Sequence, residues 1–241
     1  MPVAPCTPDR LHAAIILDGS GRWAVARGKP RPAGHAAGVE AVRRVVAAAP
    51  GLGIGTLSLF AFSSHNWARP THEVAALLTL LEDFLREDAP GYRQAGVRIR
   101  VIGRRDRLPG TLRAAMAAAE SATGSGKKLM LRLAVDYSSR QALLRAACRM
   151  YTATEVSEEA FARLLAAAPP EETSTPDVDL LIRTGGEQRL SDFLLWECAH
   201  AELVFVRKLW PDFAAEDLAA VVREYHARDR RFGRVPEAVA G

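Results

Sequence analysis

The chain has 241 residues, 49% hydrophobic and 25% charged, with a formal net charge of +4. That is the composition of an ordinary soluble globular protein, with one domain as the default and room for a full core. The basic residues are dispersed, without a Lys/Arg tract or an interleaved basic–aromatic run. This argues against nucleic acid and leaves an anionic membrane face or a polyanionic small molecule.

Cys6, Cys148 and Cys198 lie far apart and are odd in number. They fit neither a disulfide framework nor a Cys-x-x-Cys metal pair, and read as reduced thiols of a cytoplasmic protein. Met1–Arg10 is short and proline-containing and lacks the apolar core of a signal peptide. It is expected to be a flexible tail, as is 234–241, with one domain over 11–233 between them. No apolar stretch reaches the length of a membrane span, so a lipid substrate would be met from the aqueous side.

Apolar runs alternate with amphipathic segments. Strands are predicted at Ala13–Leu17, Thr56–Phe62, Val97–Ile102, Leu129–Val135, Asp179–Ile182 and Glu202–Phe205. Helical spacing joins Val39, Val42, Val46 and Ala49, and again Val74, Leu77, Leu78, Leu81 and Leu85. Further helices are predicted at Thr111–Ser121, Arg140–Met150, Glu158–Ala167 and Glu216–Ala227, with Pro169–Pro176 a loop rather than a domain boundary. The repeated strand–helix order predicts an α/β fold: a single domain with a mostly parallel six-stranded sheet flanked by helices. Ligands of such sheets sit at the carboxyl ends of the strands, where Asp18, Ser63 and Arg183 all follow strand candidates directly.

The first of these ends is His12-Ala-Ala-Ile-Ile-Leu-Asp-Gly-Ser-Gly-Arg-Trp23. A buried strand that stops at a carboxylate, then a two-glycine turn and a cation, is the layout of a phosphate–metal site. Gly19-Ser-Gly-Arg-Trp-Ala24 also fits the dinucleotide fingerprint G-x-G-x-x-A. However, bulky Arg22 and Trp23 fill the turn, and the second strand ends in Ala61-Phe-Ser-Ser64 without a carboxylate for a ribose. Gly124-Ser-Gly-Lys127 has the wrong spacing for a P-loop and reads as a polar turn.

Other candidates have plain structural readings beside the functional ones. Arg31, Gly34 and His35 could be a solvated loop with a capping histidine, but Asp18 and Arg22 tilt them toward an anion site. Phe62-Ser-Ser-His-Asn-Trp-Ala-Arg-Pro-Thr-His-Glu73 is a turn whose Trp67 anchors the next helix, or a loop offering diphosphate donors and an apolar wall. In Asp179-Leu-Leu-Ile-Arg-Thr-Gly-Gly-Glu-Gln-Arg-Leu-Ser-Asp-Phe-Leu-Leu-Trp196, Arg183 and Arg189 are planar donors suited to phosphate. Gly185 and Gly186 permit close backbone approach, and Ser191 adds a hydroxyl near a predicted helix start. Taken alone, that loop would be a salt-bridged surface. Glu202, entering the last strand, could join Asp18 on one magnesium.

Together these blocks resemble the cis-prenyltransferases, the undecaprenyl diphosphate synthase family, from about Leu11 to Gly233. The family forms are Asp-Gly-Asn-Gly-Arg-Trp, Gly-x-x-Arg-x-x-Gly-His, Phe-Ser-x-Glu-Asn-Trp-x-Arg-Pro-x-x-Glu and Ile-Arg-Thr-Gly-Gly-Glu-x-Arg-Leu/Ile-Ser-x-Phe-Leu-Leu-Trp. Leu209-Trp-Pro-Asp-Phe213 and Arg228-Asp-Arg-Arg-Phe-Gly233 are similar to the family's C-terminal region. The chain departs from the family at Ser20 (Asn), His65 (Glu), Asp192 (Asn) and Asp136-Tyr-Ser-Ser139 (Asn-Tyr-Gly-Gly).

The resemblance implies condensation of isopentenyl diphosphate with an allylic prenyl diphosphate to form a Z (cis) polyprenyl diphosphate. It implies Mg2+ held by Asp18 and Glu202, and Asp18, Ser63 and Asn66 as catalytic residues. Substrate contacts would come from Gly19, Ser20, Gly21, Arg22, Trp23, Arg31, His35, Ser63, Trp67, Arg69, Arg183, Arg189 and Ser191, with Trp67 and Glu73 shaping the loop. It further implies a homodimer whose C-terminal arginine cluster closes the site, and peripheral membrane contact for product release. An apolar tunnel lined by Ala61, the Val74–Leu85 helix and the Leu129–Val135 strand would hold the growing hydrocarbon. Val39 and Phe84 are bulky for an undecaprenyl synthase, and Glu82 and Asp83 make the helix polar, so the product is expected to be shorter than eleven isoprene units. Two alternatives stand beside this reading. One is a divergent enzyme making a branched or irregular terpenoid diphosphate, and the other is a non-catalytic partner subunit, against which Asp18, Arg183, Arg189 and Glu202 argue.

Overall fold

The computed structural model describes residues 10–151, 156–166 and 177–229. The expected tails lie outside the described residues apart from Arg10, whose guanidinium donates to the carbonyls of Lys127 and Lys128. Cys6, the Pro169–Pro176 loop and the 230–233 end of the arginine cluster also lie outside them.

The strands are β1 (Leu11–Ile16), β2 (Ile54–Ser63), β3 (Val97–Ile102), β4 (Leu129–Tyr137), β5 (Leu180–Arg183) and β6 (Glu202–Phe205). They form one sheet in the order β3-β4-β2-β1-β5-β6, and every neighbouring pair is parallel. The helices are α1 (Ser20–Val25), α2 (Arg31–Ala48), α3 (Thr71–Ala95), α4 (Gly110–Thr123), α5 (Ser139–Met150), α6 (Glu158–Ala166) and α7 (Ala215–Ala227).

Every residue of β1 is buried, as a central strand covered on both faces requires. Ala13 and Ile15 join Leu57, Leu59, Leu131 and Leu133 in the core beneath α2, α3, α4 and α7. Ala14 and Ile16 face the opposite way, onto Leu181, Phe193 and Leu194. On α2, the Pro at the second position sits where its missing N–H costs nothing. Both α2 and α3 begin at the carboxyl edge of the sheet, after β1 and β2, and so carry their first turns to the rim where Asp18 and Ser63 emerge.

Between β5 and β6 the expected helix start at Ser191 is absent. Ser191, Asp192 and Leu194 have φ of 51°, 65° and 46°. Left-handed dihedrals at three nearby positions cannot continue a right-handed helix, so the chain forms a chain of turns.

Candidate active site

Asp18 stands just beyond β1 and is fixed from several sides. Its carbonyl accepts hydrogen bonds from the Trp210 backbone N–H at 3.0 Å and from Thr184 Oγ1 at 2.8 Å. Its carboxylate accepts from Arg183 Nη2 at 2.9 Å, and Arg22 Nη2 lies 3.2 Å from the other oxygen. Gly185 has a φ of 84°, which strains any residue with a side chain, and a Cβ there would also crowd the Asp18 backbone at 3.1 Å and Arg22 Nη2 at 2.5 Å. Burial by itself raises the Asp18 pKa, but Arg183, and then Arg22, reverse this and hold the carboxyl below the usual range.

Arg183 is 4% exposed, and both of its terminal nitrogens are engaged. Nη1 donates to the Arg189 carbonyl and to Ser191 Oγ, both at 2.6 Å, while Nε is buried with no partner in the protein. Arg189 itself is exposed and paired with Glu187. Asp192, the neighbour of Ser191, accepts from Ser138 Oγ and from the Arg140 backbone N–H at 2.8 Å. Two departures from the family pattern thus meet each other, one supplying the hydroxyl and the other the charge.

A second cluster forms where α2 and α3 begin. Glu73, buried on the first turn of α3, is 3.2 Å from Arg31 Nε, 3.1 Å from Arg69 Nη1 and 3.4 Å from His35 Nε2. Burial opposes ionisation of Glu73, but Arg31 and Arg69 outweigh it and lower its pKa. Burial also lowers the His35 pKa, so the ring is neutral at pH 7 and meets Glu73 as a hydrogen-bond donor. α2 reaches this position because Gly34 lies against the Ser20 backbone, where a Cβ would be 2.0 Å from the carbonyl oxygen.

The loop after β2 is a short 3-10 turn over Ser64–Ala68. Asn66 Oδ1 accepts from the Ser63 backbone N–H at 2.9 Å, and Ser63 Oγ accepts from the His65 backbone N–H at 3.1 Å. The turn is anchored from below by Asp136, at the end of β4. That buried carboxylate accepts from Ser64 Oγ at 2.9 Å, from Trp67 Nε1 at 3.0 Å and from both arms of Arg107. Burial raises the Asp136 pKa, and these donors, Arg107 first, more than reverse it.

These groups surround one cavity of about 710 Å³. Asp18, Gly19, Ser20, Gly21, Arg22, Arg31, His35, Ser63, Asn66, Arg69, Arg183, Arg189 and Ser191 all line it. Its deeper wall is apolar, with Val39 and Val42 from α2, Leu77, Leu81 and Phe84 from α3, and Leu59, Ala61 and Leu133 from the sheet.

Other expected residues lie elsewhere. Trp23 is not among the lining residues: its indole donates to Asp212 at 2.7 Å and lies under the Arg27 guanidinium. Trp67 is likewise turned away, onto Asp136 and Phe62. Within one chain Glu202 does not reach Asp18. It begins β6 in register with Leu180, which pairs with Ala13, about 16 Å back along the strand direction from Asp18. There it pairs with Arg228. Glu82 and Asp83 do not line the cavity; Glu82 bonds Arg86 and Thr111 on the outer side of α3.

The sequence reading missed Thr184, Trp210 and the Arg107–Asp136 anchor as parts of the site. Trp210 stood in a family-like motif without a role. Arg107 gave no signal, because it comes from another loop.

The residues suit a divalent cation of the oxygen-loving kind. Asp18 is an ionised carboxylate lining a cavity rich in phosphate donors, and such ions are held by one or two carboxylates with substrate phosphates and water completing the shell. Among the described residues no cluster of three or more His, Cys, Asp or Glu could hold a metal unaided.

Residues 16–233 match the family model described as "Putative undecaprenyl diphosphate synthase". The chain belongs to the cis-prenyltransferase family. It is 54% identical to Isoprenyl transferase 1 of Bradyrhizobium diazoefficiens, over 93% of this chain and 90% of the relative. Among solved structures, lavandulyl diphosphate synthase from Lavandula x intermedia, in complex with dimethylallyl diphosphate, superposes with a TM-score of 0.87 at 34% identity, covering 94% of this chain and 99% of that one. A "probable undecaprenyl diphosphate synthase" from Campylobacter jejuni gives 0.78 at 30% identity, covering 93% and 99%. This cis-prenyltransferase is therefore an enzyme of cis-prenyl chain elongation, with the α/β fold of prenyl diphosphate synthases.

Proposed function

We propose that this enzyme condenses isopentenyl diphosphate with an allylic prenyl diphosphate and releases a Z-polyprenyl diphosphate shorter than eleven isoprene units. The observation that carries this is the two-part cavity: arginines around an ionised Asp18 on one side, and an apolar wall that includes Val39, Val42, Leu81 and Phe84 on the other. Two diphosphates bring several negative charges into one cleft, and preorganised guanidinium groups offset them where water is partly excluded.

Arg31, His35 and Arg22 hold the allylic diphosphate. Its C1–O bond breaks, the diphosphate leaves with the bonding pair, and the double bond of isopentenyl diphosphate attacks C1. The released diphosphate accepts a proton from C2 of the attacking unit, whose C–H pair forms the new Z double bond, and Ser63 and Asn66 orient that region while Arg69 and Arg189 hold the second diphosphate. Magnesium, held by Asp18 with phosphate oxygens, would supply charge neutralisation of the leaving group. In this reading Trp23 and Trp67 act on substrate only through the loops they anchor.

Val39 and Phe84 support the short product, since both occupy cavity wall that a smaller residue would leave open. A homodimer is part of the reading and is supported by Leu144 and Tyr151, which stand 68% and 92% exposed at α5 and its end. So are a cytoplasmic location, peripheral contact with membranes at product release, and a domain spanning 11–233. No helix among the described residues is long and apolar enough to cross a membrane.

Incubation with magnesium, isopentenyl diphosphate and dimethylallyl, geranyl or farnesyl diphosphate tests the proposal, with mass spectrometry and NMR of the products. Regular Z-chains are expected, and mainly undecaprenyl diphosphate would refute the length assignment. A second reading, branched condensation, is favoured by the match to lavandulyl diphosphate synthase and by the departures at Ser20, His65 and Asp136–Ser139. A branched carbon skeleton in the NMR spectrum would establish it.

A further inference from the structure

α2 and α3 run side by side away from the rim and are paired by charge at two levels. At the mouth, Arg31 and His35 meet Glu73. Twelve residues further along α2, about 18 Å at 1.5 Å per residue, Arg43 meets Asp88 of α3. Between the two levels, the residues that line the cavity are apolar or glycine: Gly38, Val39 and Val42 on α2, and Leu77, Leu80, Leu81 and Phe84 on α3. Val42 and Phe84 are the lining residues farthest along their helices.

The deeper pair is a fork, not a loose contact. Arg43 Nε is 2.9 Å from Asp88 Oδ1, and Nη2 is 2.9 Å from Oδ2. Glu40 and Glu87 flank the same guanidinium. Planar two-point pairing of this kind fixes orientation as well as distance.

The position is one at which α3 needs support. Pro90 lies inside the helix, two residues beyond Asp88, and Gly91 follows it. Proline removes the N–H that would bond the Arg86 carbonyl, and glycine adds backbone freedom, so the helix is weakest here. Phe84 packs on Tyr92 across this break at 5.8 Å between ring centres, and the buried Tyr92 hydroxyl has no hydrogen-bond partner. Packing alone therefore leaves the deep end of the cavity incompletely satisfied.

The geometry points to Arg43–Asp88 as a latch that sets product length by fixing the α2–α3 spacing behind Phe84, although neither residue lines the cavity. This rests on the chain-elongation reading above. The hydrocarbon stops growing when its end meets Phe84 and Val42, and it gains room when the helices part.

The test uses full-length Asp88→Ala, Arg43→Lys and the exchanged pair Arg43→Asp/Asp88→Arg, with two readouts. In product analysis, Asp88→Ala and Arg43→Lys are expected to shift the main product upward by at least one isoprene unit, and the exchanged pair to shift it back. Hydrogen exchange, which needs no turnover, is expected to accelerate about tenfold at the amides of 84–95 in Asp88→Ala. Arg43→Lys keeps the charge but loses the fork, and stands in if Asp88→Ala fails to fold. Unchanged or shortened products from folded single variants overturn the inference, as does unchanged exchange. If the wild type forms no prenyl product, the elongation reading fails, and unchanged exchange would still sink the latch.

Discussion

Asp18 and Asp136 stand at the carboxyl ends of two strands of one sheet, and arginine holds both carboxylates below their usual pKa range. Their surroundings divide their roles. The Asp18 side chain is 28% exposed, faces the cavity and shares its charge with Arg22, which is itself half exposed. The Asp136 side chain is 0% exposed, and its donors Ser64, Trp67 and Arg107 all lie outside the cavity lining. A carboxylate that keeps an open side and a movable partner can exchange that partner for a ligand. One that is enclosed by four donor atoms can only hold the chain in place.

That contrast can be broken by mutation. The largest effect is expected for Asp18→Ala: kcat falls by about a thousandfold or more while substrate affinity changes far less. An equal loss in both kinetic terms would make Asp18 a mere anchor. Asp136→Ala is expected to lower the melting temperature by about 5 °C, since leaving the Ser64 and Trp67 donors without their acceptor costs about 1–3 kcal/mol, while the part-exposed Arg107 turns to water. Normal thermal stability in this variant would end the distinction.

The pH dependence sharpens it. Because folding depresses the Asp136 pKa, its stabilisation is complete above the reference value of 3.8 and is lost as pH falls through the lower folded value. The stability gap between wild type and Asp136→Asn should therefore be flat above pH 3.8 and close on acidification, as followed by denaturant titration. Glu73→Gln falls between the two classes, because Arg31, His35 and Arg69 all line the cavity. Its KM for the diphosphate substrates should rise about tenfold with kcat less affected. Trp23→Phe should have the smallest effect, about 1 kcal/mol in stability and a few-fold at most in kcat/KM, since it removes only the indole's bond to Asp212 outside the cavity.

The central strands were legible because a buried parallel strand needs an apolar run, and the edge strand β3 because Val97, Ile99 and Val101 alternate with Arg98 and Arg100. All six appear: β1 starts two residues earlier and ends one earlier than expected, β2 is longer by two residues at its start and one at its end, β4 is longer by two at its end, and β5 is shifted forward by one. The short α1 was not expected, since Gly19-Ser-Gly-Arg reads locally as a turn. The reach of α3 to Ala95 was hidden by Pro90 and Gly91, which locally signal a stop. The helix start expected near Ser191 failed because the residues there serve Arg183 and Ser139, and the backbone takes left-handed turns to do so.

The sequence by itself determined which residues would gather at the rim, because parallel strands deliver whatever follows them to one edge. Asp18, Ser63 and Arg183 needed only that rule. Tertiary structure alone decided which gathered residues face the cavity. Side-chain direction depends on partners from distant segments: Asp212 for Trp23, Asp136 for Trp67, Arg228 for Glu202. Such partners lie far away in the chain, and no local pattern records them.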